Sequence, residues 1–134
     1  MNDEDLYIWS SPFDVPKTVE LLVDTLNHIG AKVFAVIDQQ AEARAVGLDM
    51  RALTLILFGN PRAGTPLMQA DPTCAFDLPL KLLIRENDDA LAIVQMLRAE
   101  TFVSRYDVPA NAAGVFTGAA GLLESALVKA SRGL

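Results

Sequence analysis

The sequence predicts a mixed α/β domain, and three features of the chain support this prediction. Residues 53–58 are apolar on nearly both faces of an extended chain, which is typical of a strand inside a sheet. Upstream, an apolar stripe with a period of about 3.6 residues indicates a helix. Downstream, Gly and Pro residues crowd positions 59–79, after which a second apolar strand follows. We therefore expect helices packed on a sheet, with a stiff connector between two buried strands.

Length and composition predict one domain spanning residues 1–134, with its core in residues 6–97 and a C-terminal segment at 98–134. The net charge of −6 and the scattered Lys and Arg residues disfavour nucleic acid as a partner. Residues 108–123 are uncharged but interrupted by Pro and Gly, so we expect no membrane span. The acidic start of the chain does not resemble a secretion signal. These features predict a cytoplasmic protein.

The first half of the chain predicts a strand, a helix, a second strand and a short helix. Residues 6–10 are aromatic and β-branched, as in strands. Asp14 and Pro16 suit the start of a helix and Gly30 its end, and residues 31–37 alternate as a strand does. Residues 39–46, which Gly47 follows, predict a two-turn helix. The apolar stripe of the longer helix consists of Val19, Leu22, Val23, Leu26 and Ile29.

The second half is less regular. Gly and Pro predict that the connector is irregular or forms short helical turns, up to a strand at 79–85 and a turn at 86–89. Residues 90–97 fit either a strand or a helix, and the preceding turn favours a strand. Residues 111–121 fit either a linker or a closely packed segment, and residues 122–130 predict a helix. A helical turn is expected at 100–106, ending before Pro109.

Three motifs carry a resemblance to a known family. Residues 59–61 read Gly-Asn-Pro and precede Ala-Gly-Thr-Pro-Leu-Met-Gln at 63–69, while 77–81 read Asp-Leu-Pro-Leu-Lys and 33–38 read Val-Phe-Ala-Val-Ile-Asp. With these motifs, residues 15–89 resemble the domain-of-unknown-function 302 (DUF302) family. The resemblance implies an α/β domain of the α+β type with two layers, a curved, mainly antiparallel sheet with a long helix packed across it. It also implies a homodimer, but no established reaction.

The chain departs from the family pattern at two places. Relatives often have His directly after the Asp that ends the second strand, whereas this chain has Gln39. That difference argues against a metal ligand or a general base at this position. After Asp89, relatives tend to carry an Asp-Gly hairpin and an aromatic strand, whereas residues 90–97 contain no Gly, Trp or Tyr.

The connector holds most of the candidate ligand-binding residues, which are Asn60, Arg62, Thr65, Gln69, Asp77 and Lys81. Asn60, Arg62, Thr65 and Gln69 are polar groups in a segment stiffened by Gly and Pro, and they suit a small cradle for an anion or a polar ligand. In the alternative interpretation, Asn60 and Thr65 bond to the backbone of their own loop. No nucleotide-binding glycine motif is present.

Asp71, Asp77 and Lys81 lie near the ends of the connector and suit either acid–base chemistry or structural pairing. Structural pairing is favoured because the chain lacks a recognisable nucleophile with a partner base. Cys74 is the only cysteine and is expected to be a small buried apolar residue. His28 is the only histidine and is expected at the surface near a helix end. Neither residue has partners at metal-ligand spacing, so we expect no metal and no cofactor.

Three hypotheses of function follow. The first is a homodimer that holds a small apolar or mixed ligand between helix and sheet or at the dimer seam. The second is an enzyme of unknown reaction that uses Arg62, Asp77 and Lys81. The third is a structural or adaptor module that docks a protein partner through exposed hydrophobic residues such as Leu67 and Met68.

Overall fold

The computed structural model describes residues 1–133. Within that range, the strands are β1 Leu6–Ser10, β2 Lys32–Asp38, β3 Leu53–Gly59, β4 Leu80–Glu86 and β5 Ala92–Leu97. The α-helices are α1 Val15–His28, α2 Gln39–Ala45, α3 Pro61–Ala70, α4 Ala99–Arg105 and α5 Ala113–Arg132. Short 3-10 helices occupy Asp3–Asp5, Pro72–Asp77 and Ala110–Ala112.

The strands form one antiparallel sheet in the order β1-β5-β4-β3-β2. The helix α1 contacts β2, β3 and β4, and α5 contacts both α1 and β1. The predicted α/β class, with a mainly antiparallel sheet and a long helix packed across it, is therefore confirmed. A second long helix, α5, lies beside α1.

The two faces of the sheet differ sharply in burial. Directly paired residues of neighbouring strands point to the same face, so the strand register assigns each side chain to a face. One face is buried; its residues in the three central strands are Thr54, Ile56, Phe58, Leu80, Leu82, Ile84, Ala92, Val94 and Met96. The other face is called the open face below. It consists of Leu6, Ile8, Ser10, Lys32, Ala35, Ile37, Leu53, Leu55, Leu57, Gly59, Lys81, Leu83, Arg85, Ile93, Gln95 and Leu97.

The start and burial of α1 follow from its sequence. The Asp14 side chain accepts a hydrogen bond from the Lys17 amide at 3.0 Å, which caps the helix as predicted. The buried residues Leu22 and Leu26 belong to the predicted apolar stripe. Ile29, which was also assigned to that stripe, is 41% exposed because the helix has ended and Gly30 turns the chain at a φ of +79°.

The connector between β3 and β4 is more helical than its sequence indicates. A ten-residue helix, α3, occupies Pro61–Ala70, and the 3-10 helix Pro72–Asp77 follows it. Pro61 and Pro72 each begin a helical segment, where a missing backbone N–H removes no helical hydrogen bond. The prolines predict irregular chain or short helical turns, but a proline at the first position of a helix does not interrupt that helix. The Leu78–Pro79 peptide bond is cis.

The ambiguous C-terminal segments adopt regular structure. Residues 92–97 form β5, as favoured, and the Asn87 side chain accepts hydrogen bonds from the Asp89 and Leu91 amides in the turn before it. The Ala- and Gly-rich segment is the first half of α5 and not a linker. Its glycines face open space, while Phe116 and Ala120 are buried. Residues 122–130, predicted to be a helix, are the second half of α5.

The segment Ala110–Arg132 is long and apolar enough to cross a bilayer by length and composition alone. In the folded chain, its residues Phe116, Ala120, Leu123 and Leu127 are buried against the rest of the domain. Pro109 directly precedes this segment, and Gly114, Gly118 and Gly121 lie on its exposed side.

Candidate functional site

A cavity of about 270 Å³ opens on the open face of the sheet. Six of its seven strand residues belong to that face, and they are Leu6, Leu55, Lys81, Leu83, Gln95 and Leu97; the seventh, Met96, belongs to the buried face. Met1, Asp77 and Phe116 complete the lining. The walls are therefore mostly aliphatic, with a few polar groups that suit the orientation of a ligand.

Lys81 supplies a positive charge to this cavity. Its Nζ donates hydrogen bonds to the carbonyl oxygens of Phe76 at 3.3 Å and Pro79 at 3.4 Å. Among residues 1–133, no carboxylate forms an ion pair with Lys81. The lysine is therefore held by neutral acceptors, and its charge is not balanced by a neighbouring side chain.

Gln95 is fixed in place by a cross-strand partner. Arg85 Nε donates a 2.9 Å hydrogen bond to Gln95 Oε1, and both residues lie on the open face. Gln95 is only 9% exposed although it lies on that face. The pair sets the orientation of the Gln95 amide at the cavity wall.

Asp77 is engaged by groups of α4 and the residue that follows it. The Tyr106 hydroxyl donates a 2.5 Å hydrogen bond to Asp77 Oδ2, and Arg105 Nη1 lies 3.1 Å from the same oxygen. The hydrogen bond to Asp77 is the main cause that raises the pKa of Tyr106, to about 12. Asp77 thus pairs with Arg105 and Tyr106 and not with Lys81, in keeping with the favoured structural role.

Asp71 and Cys74 belong to the same structural cluster. The Asp71 carboxylate accepts hydrogen bonds from the Thr73 hydroxyl, the Thr73 amide and the Asp107 amide. The Thr73 hydroxyl is the main cause that lowers the pKa of Asp71. Cys74 is fully buried, as predicted, and burial is the first cause that raises the pKa of its thiol. These residues connect the 3-10 helix to the chain after α4.

A second cleft, of about 380 Å³, is lined by residues from both ends of the connector. Asn60 is its main polar residue, and the rest of the lining is Phe34, Gly59, Pro61, Gly64, Met68, Leu78, Pro79, Leu80 and Val115. The Asn60 side chain accepts a 3.0 Å hydrogen bond from the Arg62 amide and so caps α3. For Asn60, this bond matches the alternative interpretation, in which the side chain satisfies its own backbone.

The structure separates the six residues that the sequence grouped together. Asp77 and Lys81 line the cavity on the open face, whereas Asn60 lines the second cleft. The remaining three, Arg62, Thr65 and Gln69, are exposed along α3 and line neither space. Spacing of three and four residues places them along one side of a helix, a consequence that appears only once the connector is known to be helical.

Leu67 and Met68 do not form an exposed docking surface. Leu67 is 6% exposed and belongs to the core, and Met68 is partly buried against it. The helical turn of α3 directs both residues inward, so the expectation of an exposed pair is wrong.

The structure also locates His28, Gln39 and the side chains of the types that bind metal ions. Among residues 1–133, no group of three or more His, Cys, Asp and Glu side chains could hold a metal ion. His28 is exposed in the last turn of α1. Gln39 is the first residue of α2.

Sequence reasoning missed Gln95, Arg85, Arg105 and Tyr106 as neighbours of the candidate site. Arg105 and Tyr106 come from a different part of the chain than Asp77, so no local motif links them. For Gln95 there was a signal: it is the only polar residue in the apolar run 90–97. A polar side chain in such a strand requires a partner.

The family model described as "Domain of unknown function DUF302" matches residues 7–126. The chain belongs to the DUF302 family. The crystal structure of an uncharacterized conserved DUF302 protein from Bacillus stearothermophilus has the same fold as this DUF302 chain, with a TM-score of 0.72. The two sequences are 18% identical, and the match covers 94% of this chain and 98% of that one. The resemblance drawn from the three motifs is thereby confirmed.

The DUF302 chain is also similar to longer proteins. It is 36% identical over 85 residues to the fluoride-specific ion channel FluC 1 of Brucella suis biovar 1, a match covering 63% of this chain and 34% of that protein. The FluC 1 protein of Brucella abortus biovar 1 matches at the same identity over 32% of its length. The chain thus spans about a third of the length of the curated relatives it matches.

Proposed function

We propose that this DUF302 protein is a cytoplasmic homodimer that binds a small apolar or mixed ligand in the cavity on the open face. One observation carries the proposal: a sheet face rich in Leu and Ile remains partly exposed and contains a cavity of about 270 Å³. The cavity volume is slightly below the range of about 300–1,000 Å³ that is usual for ligand sites. The ligand is therefore expected to be small.

The composition of the open face supports dimerisation. In an antiparallel sheet with one solvated face, residues along each strand normally alternate, with apolar side chains toward the core and polar side chains toward water. Here, Leu55, Leu57 and Leu83 occupy the centre of the open face and are partly exposed. Contiguous apolar surface of this kind marks interaction sites. A second copy packed face to face would remove these residues from water.

Dimerisation would also complete the ligand site. Two sheets that pack face to face lie about 10 Å apart, with their side chains interdigitated. A cavity that opens on this face would then lie at the seam and be closed by the partner. Closure excludes water and strengthens the contacts of the polar groups at its wall with a ligand.

The enzyme hypothesis receives less support from the geometry. Asp77 is occupied by Tyr106 and Arg105, and Lys81 by main-chain carbonyl oxygens. Arg62 lies outside the cavity lining. The three residues therefore do not converge on one reacting position, as general acid–base chemistry requires.

A second candidate function is that of an accessory domain for a membrane channel. The observation that favours it is the similarity over 85 residues to proteins named as fluoride-specific ion channels. In this role the open face would dock on the channel protein and not on a second copy. Co-purification with detergent-solubilised FluC 1 of Brucella suis would support this role. Equal recovery with an unrelated membrane protein would count against it.

The dimer is tested by measuring mass in solution with native mass spectrometry and sedimentation equilibrium. We expect twice the chain mass of 14.5 kDa for the wild type and 14.5 kDa for Leu57→Glu. Leu57 lies on the open face but outside the cavity lining, so the change does not alter the ligand walls. The matched control is Leu122→Glu, on the exposed side of α5 at 48% exposure, which should remain dimeric. A monomeric wild type would overturn the dimer.

Ligand occupancy is tested on the same samples. We expect native spectra to show a small-molecule adduct, and organic extraction of the purified protein to release it. Leu83→Trp places a large ring at the cavity wall and should abolish the adduct. The matched control is Leu53→Trp, on the open face but outside the lining, which should retain it. An adduct that is equally abundant in both variants would exclude this cavity as the ligand site.

A further inference from the structure

We propose that the ligand of the open-face cavity is a monoanionic amphiphile, such as a medium-chain carboxylate, whose charged group binds Lys81. This inference rests on the proposed function and specifies its ligand class. It is carried by the distribution of charge on the open face and by the bonding of Lys81.

The open face has the opposite charge to the chain as a whole. The net charge of the chain is −6, yet the charged strand residues of the open face are Lys32, Lys81 and Arg85, all cations. No Asp or Glu occupies an open-face position of the five strands. An anion that approaches this face therefore meets positive charge set in an apolar surface.

Lys81 is available to a ligand because its present partners are neutral. Both of its hydrogen bonds go to carbonyl oxygens, at 3.3 and 3.4 Å, and among residues 1–133 it forms no ion pair. These distances are longer than the 2.7–2.9 Å or so typical of an ammonium bound to a carboxylate. A ligand carboxylate would make a shorter, charge-assisted bond in a partly desolvated site.

The other charged groups near the cavity do not oppose an anion. Asp77 is part of the lining, but its carboxylate is compensated by Arg105 and accepts the Tyr106 hydroxyl hydrogen bond. Arg85 is bonded to Gln95, and this places a second cation on the same face. The aliphatic walls at Leu55, Leu83 and Leu97 would cover the ligand tail.

The same charge pattern predicts how the ligand affects assembly. Packing two open faces together brings the Lys81 and Arg85 cations of both copies toward one apolar seam, and like charges in such a seam are costly. A bound anion in each copy offsets that cost. Binding of the anion and dimerisation should therefore strengthen each other, as linkage requires.

The test compares octanoate with 1-octanol at pH 7 by titration calorimetry on the ligand-stripped chain of 134 residues. The two probes share an eight-carbon tail and differ in charge. We expect octanoate to bind about tenfold more tightly than 1-octanol, and the difference to vanish in Lys81→Met while 1-octanol affinity is retained. Lys81→Arg should preserve the preference. Lys32→Met, at an exposed lysine of the open face that does not line the cavity, is the matched control and should behave as the wild type.

The outcomes separate this inference from the proposed function. If both probes bind the wild type equally, or if the preference persists in Lys81→Met, the anion inference is overturned while ligand binding stands. If neither probe binds the wild type, the anion inference and the proposed ligand binding are both overturned. The comparison in the wild type does not depend on the folding of any variant. Tighter dimerisation with octanoate than with 1-octanol, measured by sedimentation, would support the inference independently.

Discussion

The hydroxyl of Tyr106 donates a 2.5 Å hydrogen bond to Oδ2 of Asp77, and this bond connects the end of α4 to the connector before β4. Arg105 adds an ion pair to the same oxygen at 3.1 Å. Asp77 lines the open-face cavity, so this cluster positions one wall of the candidate site. The contacts come from residues 28 and 29 positions apart in sequence.

Removal of the Tyr106 hydroxyl should destabilise the fold and change how the free energy of unfolding depends on pH in the alkaline range. Tyr106→Phe should lower the free energy of unfolding by about 1–2 kcal/mol at pH 7, the usual cost of a hydrogen bond to a charged group at a partly exposed site. The folded-state pKa of Tyr106 is raised to about 12 from 10.0, so its contribution is fully present below pH 10 and lost as the pH rises through about 12. Urea unfolding of both proteins from pH 8 to 12 measures this.

The Tyr106 experiment has a natural control in Tyr7, whose hydroxyl has no carboxylate partner among residues 1–133 and accepts only a 3.5 Å bond from the Ala99 amide. Tyr7→Phe should cost less stability than Tyr106→Phe. If the stability difference between wild type and Tyr106→Phe did not narrow between pH 10 and 12, the proposed role of this bond would be wrong.

Asp71 should contribute to acid sensitivity. The Thr73 hydroxyl, then the Asp107 amide, lower the pKa of this carboxyl below 3.8, so its stabilisation is present above that pH and lost as the pH falls through the lowered value. Asp71→Asn should therefore have a lower free energy of unfolding than the wild type at pH 7. The difference between the two proteins should become smaller as the pH falls toward 2. Urea unfolding across that range measures the difference. Asp24→Asn, at an exposed site on α1, is the matched control for the loss of one carboxylate.

Cys74 should be inert in the folded protein. Its side chain is fully buried, and burial, followed by the charges of Asp71 and Asp77, raises the pKa of its thiol. Ellman's reagent at pH 8 should react within seconds in urea and only at the rate of unfolding in native buffer. Fast reaction of the native protein would contradict this arrangement.

Asn60 should act chiefly as a helix cap. Asn60→Ala should cost about 1 kcal/mol of unfolding free energy because the Arg62 amide loses its partner. Asn60→Asp should restore most of it, since Asp caps as well as Asn does. Thermal unfolding measures both variants. If Asn60→Asp were as destabilised as Asn60→Ala, the side chain would have a role other than capping.

Local sequence was sufficient to predict secondary structure where the residues of a short stretch favour one structure by themselves. Asp14 and Pro16 start α1 because a carboxylate and a fixed φ satisfy the first turn of a helix without help from elsewhere. Residues 53–58 form a strand because they are apolar on both sides. The family motifs around Gly59 and Asp77 identified the fold class for the same reason.

Local sequence was insufficient where the same residues suit two structures. Pro61 and Pro72 are compatible with both a loop and the first turn of a helix, and packing of Leu67 into the core favours α3 although Pro66 lies inside it. The glycines of α5 disfavour a helix by propensity, yet burial of Phe116, Leu123 and Leu127 outweighs that cost.

The sequence by itself determined the α/β class, the main strands, the limits of α1 and the family. Only the tertiary structure decided that Asp77 pairs with Tyr106 and Arg105, that no carboxylate within residues 1–133 pairs with Lys81, and that one sheet face stays open. The reason is that local signals depend on backbone preferences of neighbouring residues. A site depends on which distant side chains meet in the folded chain.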